Sequence, residues 1–151
     1  MKKLVAFTIA CVAVAALAPS GGDAFARGSR TPEPTRTVWD SVFADSQAVH
    51  GDSIYQAACV KCHGPELKGG DDGSPLVGDD FLTKWNGKTV GELAELMRNT
   101  MPSENPKSLS RAQVTQLVAY ILARNHFPSG QKPLPDGMDE LKDIKLVQTK
   151  P

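Results

Sequence analysis

Two cysteines and a histidine stand close together in the stretch CVKCH. Cys59 and Cys62 are separated by two residues, and His63 follows directly. Thiolates and imidazoles bind metal ions, and a close pair of thiols can also cycle with a disulfide. The spacing therefore admits three kinds of chemistry: a zinc site, a redox-active dithiol and the covalent attachment of a c-type haem.

The rest of the chain favours haem attachment over zinc or a dithiol. A structural zinc site takes four protein ligands, but the chain has no second cysteine pair, and its only other histidines are His50 and His126. A thioredoxin-like dithiol belongs to a βαβ pattern, and the sequence shows no strand-like alternation. Two thiols three positions apart can instead reach the two vinyl groups of a haem, and the histidine that follows them then faces the iron.

A haem iron held by His63 either takes a second axial ligand or leaves that position open. The candidates are His50, Met97, Met101, His126 and Met138. Met97 lies on the apolar stripe of a predicted helix, where packing explains it, and His50 is too close to His63 to reach the opposite face of the ring. Met101 follows a helix end and stands 38 residues after His63, so a loop can carry it across the haem. We therefore expect Met101 to be the second ligand.

Residues 1–26 have the pattern of a secretory signal peptide. Two lysines precede an apolar run over residues 4–18, and the small-x-small motif at residues 24–26 fits a cleavage site. The run is shorter than the ~20 apolar residues that span a bilayer. We expect cleavage after Ala26, export to the periplasm and no stable membrane insertion. The alternative is an uncleaved segment that anchors the protein to the membrane.

The charge balance argues against a nucleic-acid partner. The chain has 17 basic and 17 acidic residues. Cleavage would remove Lys2, Lys3 and Asp23, which leaves 15 basic and 16 acidic residues. Nucleic-acid binding calls for a strongly basic surface, so we expect none here.

Periodicity and capping signals predict three main helices, over residues 45–59, 89–100 and 110–125. The second and third helices each begin with a capping box. Residues 64–88 hold six glycines and two prolines and are predicted to form a long loop. Such a loop is unusual in a compact domain, and a large non-protein group for it to wrap would explain it.

The predicted elements divide the chain into four parts. Residues 1–26 are the signal peptide, 27–44 an N-terminal arm, 45–127 the folded domain and 128–151 a mostly polar C-terminal tail. Within the tail, residues 138–144 are expected to form a weak helical turn or two.

The segments GDSIY, CVKCHG, SPLVG, TMP and LVAYIL, in that order, resemble class I cytochromes c. The resemblance covers residues 47–127. It implies an all-α fold in which three main helices and long loops surround one covalently attached haem c. It also implies thioether bonds at Cys59 and Cys62 and axial iron ligands at His63 and Met101.

The same resemblance implies further contacts around the haem. The carbonyl of Pro75 is expected to accept a hydrogen bond from the ring of His63. Trp85, in the stretch FLTKWNG, resembles the loop tryptophan that reaches a haem propionate. Gly51 and Tyr55 of the first helix are expected to cross the last helix.

The function implied is that of a one-electron carrier between redox proteins, and not of an enzyme. The stretches VWDSVF and DFLTKWNGKTVGELAELMRNTMPSENPKSLS are similar to small cytochromes associated with quinoprotein alcohol dehydrogenases. Such a dehydrogenase and a terminal oxidase are therefore expected partners. The alternatives are a haem enzyme or sensor with a labile sixth ligand, and a fixed cytochrome subunit of a dehydrogenase complex.

Overall fold

The computed structural model describes residues 36–151, which form helices joined by loops and one pair of very short strands. In chain order the elements are β1 (Arg36–Thr37), α1 (Asp45–Ala58), α2 (Val60–His63), α3 (Gly78–Trp85), α4 (Val90–Thr100), α5 (Arg111–Arg124), α6 (Met138–Lys142) and β2 (Ile144–Lys145). The expected signal peptide, its cleavage site and residues 27–35 of the arm lie outside the described residues. Within the described part, none of the helices has the length and apolar character needed to cross a membrane. The expected all-α fold is confirmed.

Helices α1 and α5 form the main crossing of the fold. A β-carbon built on Gly51 would overlap the carbonyl of Gln116 and stand 2.8 Å from the β-carbon of Tyr120. The glycine therefore lets the two backbones touch. The rings of Tyr55 and Tyr120 pack together at the same crossing, with centroids 5.4 Å apart. The expected contact of Gly51 and Tyr55 with the last helix is confirmed.

The two predicted capping boxes are both present. The hydroxyl of Thr89 accepts the Glu92 N–H at 3.1 Å, while the Glu92 carboxylate accepts the Thr89 N–H at 2.7 Å. The same exchange joins Ser110 and Gln113, at 3.2 and 2.9 Å. These contacts satisfy N–H groups that have no partner inside the helix, so α4 and α5 begin where the sequence predicts.

Helix α3 corrects the expectation that residues 64–88 form one long loop. Phe81 and Trp85 lie one helical turn apart and are both buried. Asp79 and Asp80 occupy the first turn, where the partial positive charge of the helix favours carboxylates. A short helix of eight residues between glycines was not recognised because its apolar pattern spans little more than one turn.

The segments on either side of the helical domain pack onto it. Strand β1 pairs in parallel with β2. The expected polar character of residues 128–151 is corrected, because the apolar side chains of this segment are buried: Leu134, Leu141, Ile144 and Leu146. Helix α6, at the position of the expected helical turns, contacts α4, where a β-carbon on Gly91 would meet the backbone nitrogen of Lys142 at 3.0 Å.

Candidate functional site

A cavity of about 840 Å³, including its open mouth, lies between α2, α4, α5 and the loop before α3. Apolar side chains of α4 and α5 form much of the wall, among them Leu93, Leu96, Leu117 and Ile121. All six residues predicted from the sequence line this cavity: Cys59, Cys62, His63, Pro75, Trp85 and Met101.

His63 ends α2 and is 9 % exposed. Its Nδ1 lies 2.7 Å from the carbonyl oxygen of Ser74. A carbonyl can only accept, so Nδ1 carries the proton and Nε2 keeps its lone pair. An imidazole fixed in this tautomer is ready to bind a metal through Nε2, and the hydrogen bond to Ser74 increases its basicity.

The acceptor of this hydrogen bond differs from the one expected. The resemblance implied the carbonyl of Pro75, whereas the structure shows the carbonyl of Ser74, one residue earlier. Pro75 still lines the cavity. The carbonyl that faces His63 belongs to the peptide bond between Ser74 and Pro75, so the expected acceptor is corrected from Pro75 to Ser74. The ring of Pro75 lies against the cavity.

Both cysteines are free thiols placed by the junction of α1 and α2. The Cys59 N–H donates to the carbonyl of Tyr55 at 2.9 Å, and the His63 N–H donates to the carbonyl of Cys59 at 3.0 Å. These bonds hold the thiols and the imidazole on one compact turn. Burial, followed by the nearby Cys62, raises the pKa of the Cys59 thiol to about 11, which reflects an apolar surrounding.

Two methionines line the cavity together with His63. Met97 belongs to the buried core, and Met101 is the capping residue directly after α4, where its N–H donates to the Met97 carbonyl at 2.9 Å. His50 instead lines a separate polar groove beside the start of α5, and His126 is exposed. The assignment of Met101 as the second ligand therefore stays a prediction, with Met97 as its competitor.

Trp85 is 6 % exposed and lies against Phe81, with ring centroids 6.3 Å apart. It lines the cavity. Its contact with a haem propionate stays a prediction.

Several cavity residues were not predicted from the sequence. Tyr55 lines the wall, and its hydroxyl donates to the carbonyl of Gly64 at 2.6 Å. Lys84 stands beside Trp85 and brings a cation to the cavity. Glu104 is at the mouth and forms an ion pair with Lys61 at 3.3 Å. Lys84 and Glu104 follow no periodic pattern, so the sequence carries no signal for them apart from their nearness to Trp85 and Met101.

The cavity fits a haem bound through the predicted residues. It joins two free thiols, an imidazole with an available Nε2 and thioether sulfurs within one largely apolar space. No group of three or more histidine, cysteine or acidic side chains within residues 36–151 is arranged to hold a metal ion. The zinc alternative therefore gains no support from this part of the chain.

Comparison with known proteins agrees with this site. Residues 46–121 match the family model described as cytochrome c oxidase, cbb3-type, subunit III. No curated protein matches the sequence. A crystal structure of the sulfane dehydrogenase SoxCD from Paracoccus pantotrophus is similar, with 18 % identity and a TM-score of 0.47. That similarity covers 72 % of this chain and 61 % of the other, so the chain spans less than two thirds of that protein.

The family model covers 76 of the 151 residues and includes the whole CVKCH stretch. The matched range also contains the residues that line the cavity. The chain belongs to this cytochrome c family and is a class I c-type cytochrome, an electron-transfer protein with a haem cofactor.

Proposed function

We propose that this protein is an exported carrier that moves one electron at a time between redox proteins, with a single haem bound covalently to Cys59 and Cys62. The observation that carries the proposal is the meeting of both thiols, the His63 ring and Met101 in one largely apolar cavity. An enzyme site would need an open iron position and polar groups directed at a substrate. A carrier needs two axial ligands and a dry surrounding.

When bound, the haem supplies an iron atom that exchanges one electron. The residues of this chain hold it and set its environment. Cys59 and Cys62 would fix one edge of the ring, and His63 would bind the iron through Nε2 while Nδ1–H stays on Ser74. Met101 would provide the second iron ligand. Thioether ligation raises the reduction potential.

The cavity wall also favours the reduced state. Leu93, Leu117 and Ile121 are each at most 3 % exposed, and all line the cavity. They exclude water from the iron, and a low dielectric disfavours the extra positive charge of the ferric form. Leu96 is 48 % exposed and belongs to the same wall, so it marks where the apolar surface reaches the solvent and a partner can approach.

The location of the protein is proposed from its first 26 residues. A basic start, a 15-residue apolar run and the motif at 24–26 support cleavage after Ala26 and release into the periplasm. Attachment of haem to CxxCH takes place outside the cytoplasm, which agrees with export. Amino-terminal sequencing of the protein from a periplasmic extract tests this. An intact amino terminus in the membrane fraction would instead show an anchored protein.

The partners are proposed from resemblance alone. The similarity of two stretches to small cytochromes associated with quinoprotein alcohol dehydrogenases supports such a dehydrogenase as donor and a terminal oxidase as acceptor. A second candidate is a fixed subunit of a redox complex, favoured because the matched family is described as an oxidase subunit. Native mass after gentle extraction separates the two: a carrier has the mass of one chain with its haem, and a subunit stays with its complex.

Ligand-binding spectra test the carrier function itself. With two protein ligands on the iron, the reduced protein should show an unchanged visible spectrum under carbon monoxide at neutral pH. Rapid formation of a carbon monoxide complex would reveal an open or labile position and would support the haem enzyme or sensor instead. The corresponding control is the Met101→Ala variant, in which the same addition should produce the complex.

A further inference from the structure

Asn125 is a buried residue at the end of α5, and its side-chain amide makes three hydrogen bonds, two of them to a distant segment. It is 8 % exposed. Its Nδ2 donates to the carbonyls of Ile121 and Leu76, each at 2.9 Å, and its Oδ1 accepts the Gly78 N–H at 3.1 Å. The bond to Ile121 joins Asn125 to the last turn of α5, whereas the other two reach Leu76, before α3, and Gly78, the first residue of α3.

The segment that Asn125 holds is the one that leads to the acceptor of His63. Ser74 accepts the Nδ1–H of His63, and Leu76 follows two residues later. Leu76 is fixed on both sides, because its N–H donates to the Leu67 carbonyl at 2.8 Å and its carbonyl accepts from Asn125. The segment that carries the Ser74 carbonyl is therefore tied to the end of α5.

Asn125 also supports the start of α3. Val77 precedes the helix and provides no side-chain cap. The Gly78 N–H, in the first turn, is one of the groups that has no partner inside the helix, and the oxygen of Asn125 accepts it instead. One side chain thus sets both ends of the turn between Leu76 and α3, the helix that carries Trp85.

We propose that Asn125 is a positioning residue that holds the Ser74 carbonyl on His63 and thereby sets the reduction potential of the protein. The inference rests on the proposed function in one respect, that His63 binds the haem iron, and it is independent of the role of Met101. A carbonyl held on Nδ1–H makes the imidazole a stronger donor, and a stronger donor stabilises ferric iron. When Asn125 is removed, the carbonyl moves away from His63, and the potential rises.

Gln47 provides a matched control for the loss of a buried amide. It is also 8 % exposed, and it also makes two hydrogen bonds to the backbone of a distant segment. Its Nε2 donates to the Leu134 carbonyl at 3.1 Å, and its Oε1 accepts the Leu134 N–H at 2.8 Å. Gln47 does not line the haem cavity and has no bond to the segment that holds Ser74. It lines a separate polar groove beside α5.

The test compares Asn125→Leu with Gln47→Leu in the haem-loaded protein. In Asn125→Leu, the equilibrium constant for electron exchange with a reference dye should shift by about three- to tenfold towards the reduced protein. This shift corresponds to a rise of ~28–59 mV in the reduction potential of a one-electron couple. The Nδ1 proton of His63, followed by NMR, should exchange faster with solvent. Gln47→Leu should lower the midpoint of denaturant unfolding to a similar extent and change neither the potential nor the exchange rate.

A second variant covers the case in which Asn125→Leu does not fold. Asn125→Asp keeps the acceptor for Gly78 and loses the donors to Leu76 and Ile121, so the Nδ1 proton of His63 should again exchange faster. An unchanged exchange rate of the His63 Nδ1 proton in Asn125→Asp would overturn the inference. Equal shifts of the reduction potential in Asn125→Leu and Gln47→Leu would also overturn it. If the unaltered protein holds no haem at all, the proposed function fails instead.

Discussion

Gly73 lies directly against the backbone of Cys62. A β-carbon at this glycine would stand 2.5 Å from the carbonyl oxygen of Cys62 and 3.1 Å from the backbone nitrogen of His63. Neither neighbour is the flexible end of a side chain. The loop before α3 can therefore close on the CVKCH turn only where residue 73 has no side chain.

Replacing Gly73 by alanine should loosen the turn that holds the two thiols and His63. We expect a loss of about 1–3 kcal/mol of unfolding free energy, as for other overpacked sites, together with a smaller haem-loaded fraction on expression. Denaturant unfolding and the ratio of haem to protein absorbance measure the two effects.

Gly70 is the matched control in the same loop. Its nearest neighbour would be the Cys62 carbonyl at 3.6 Å, an ordinary contact. Gly70→Ala should change the unfolding free energy by less than about 0.5 kcal/mol. Equal effects of the two substitutions would contradict the close approach seen at Gly73.

At the crossing of α1 and α5, a glycine-to-alanine substitution in a helix is expected to lower the unfolding free energy and not to raise it. Alanine in place of glycine within a helix normally stabilises it by about 1 kcal/mol. At Gly51 the added methyl group would overlap the Gln116 carbonyl, and forced backbone shifts cost about 1–3 kcal/mol. Gly51→Ala should therefore lower the unfolding free energy, whereas Ser53→Ala on the exposed face of α1 should leave it nearly unchanged. A more stable Gly51→Ala protein would show that the helices do not touch there.

Much of this crossing follows from the sequence, and so do the beginnings of α4 and α5. Gly51, the capping boxes and the apolar stripes are local sequence patterns. Such patterns predict the structure correctly where the tertiary contacts favour the same conformation. Helix α3 and the buried leucines of residues 128–151 were missed for the opposite reason. Their apolar residues are few and irregularly spaced, and only contact with elements distant in the chain buries them.

The candidate site divides in the same way. Cys59, Cys62 and His63 form a contiguous motif, so the sequence reveals them directly. The acceptor on Ser74 and the support from Asn125 depend on how a glycine-rich loop folds back, and no spacing rule specifies that path. The choice between Met97 and Met101 lies between these cases, because both methionines line the same cavity.

Substitution of the two methionines separates the candidate ligands. Met101→Ala should abolish the sulfur-to-iron charge-transfer band of the ferric protein and lower its reduction potential. Each ~59 mV of this decrease corresponds to ~1.4 kcal/mol less stabilisation of the ferrous protein relative to the ferric protein. Met97→Leu preserves the packing volume and should change neither, at a stability cost under about 1.5 kcal/mol. Loss of the band in Met97→Leu, with its retention in Met101→Ala, would reverse the assignment.

Charges near the cavity mouth should contribute little to partner binding. Lys61 is paired at 3.3 Å with Glu104, which lines the cavity, and Lys68, in the loop before α3, is paired with Glu66 at 2.6 Å. Long-range attraction needs a surface of one sign, and these pairs largely cancel. We expect a small, mostly apolar contact under ~1,200 Å², with the exposed Leu96 at its edge.

Stopped-flow reduction by the native partner measures this weak dependence on charge. The rate should fall only a few-fold between low and physiological salt, although the Debye length shrinks from ~30 Å to ~8 Å. Lys61→Gln should leave the salt dependence nearly unchanged. A hundredfold fall would show an electrostatic steering surface and contradict the expected apolar contact.

The central claim is that Cys59 and Cys62 hold a haem covalently, and a denaturing gel stained for haem peroxidase activity tests it most directly. The purified protein should keep its haem through boiling in detergent and through extraction with acidified organic solvent. The Cys59→Ala/Cys62→Ala double variant, prepared in parallel, should lose it. A wild-type band that is colourless, or that releases its haem to the solvent as the double variant does, would contradict the account.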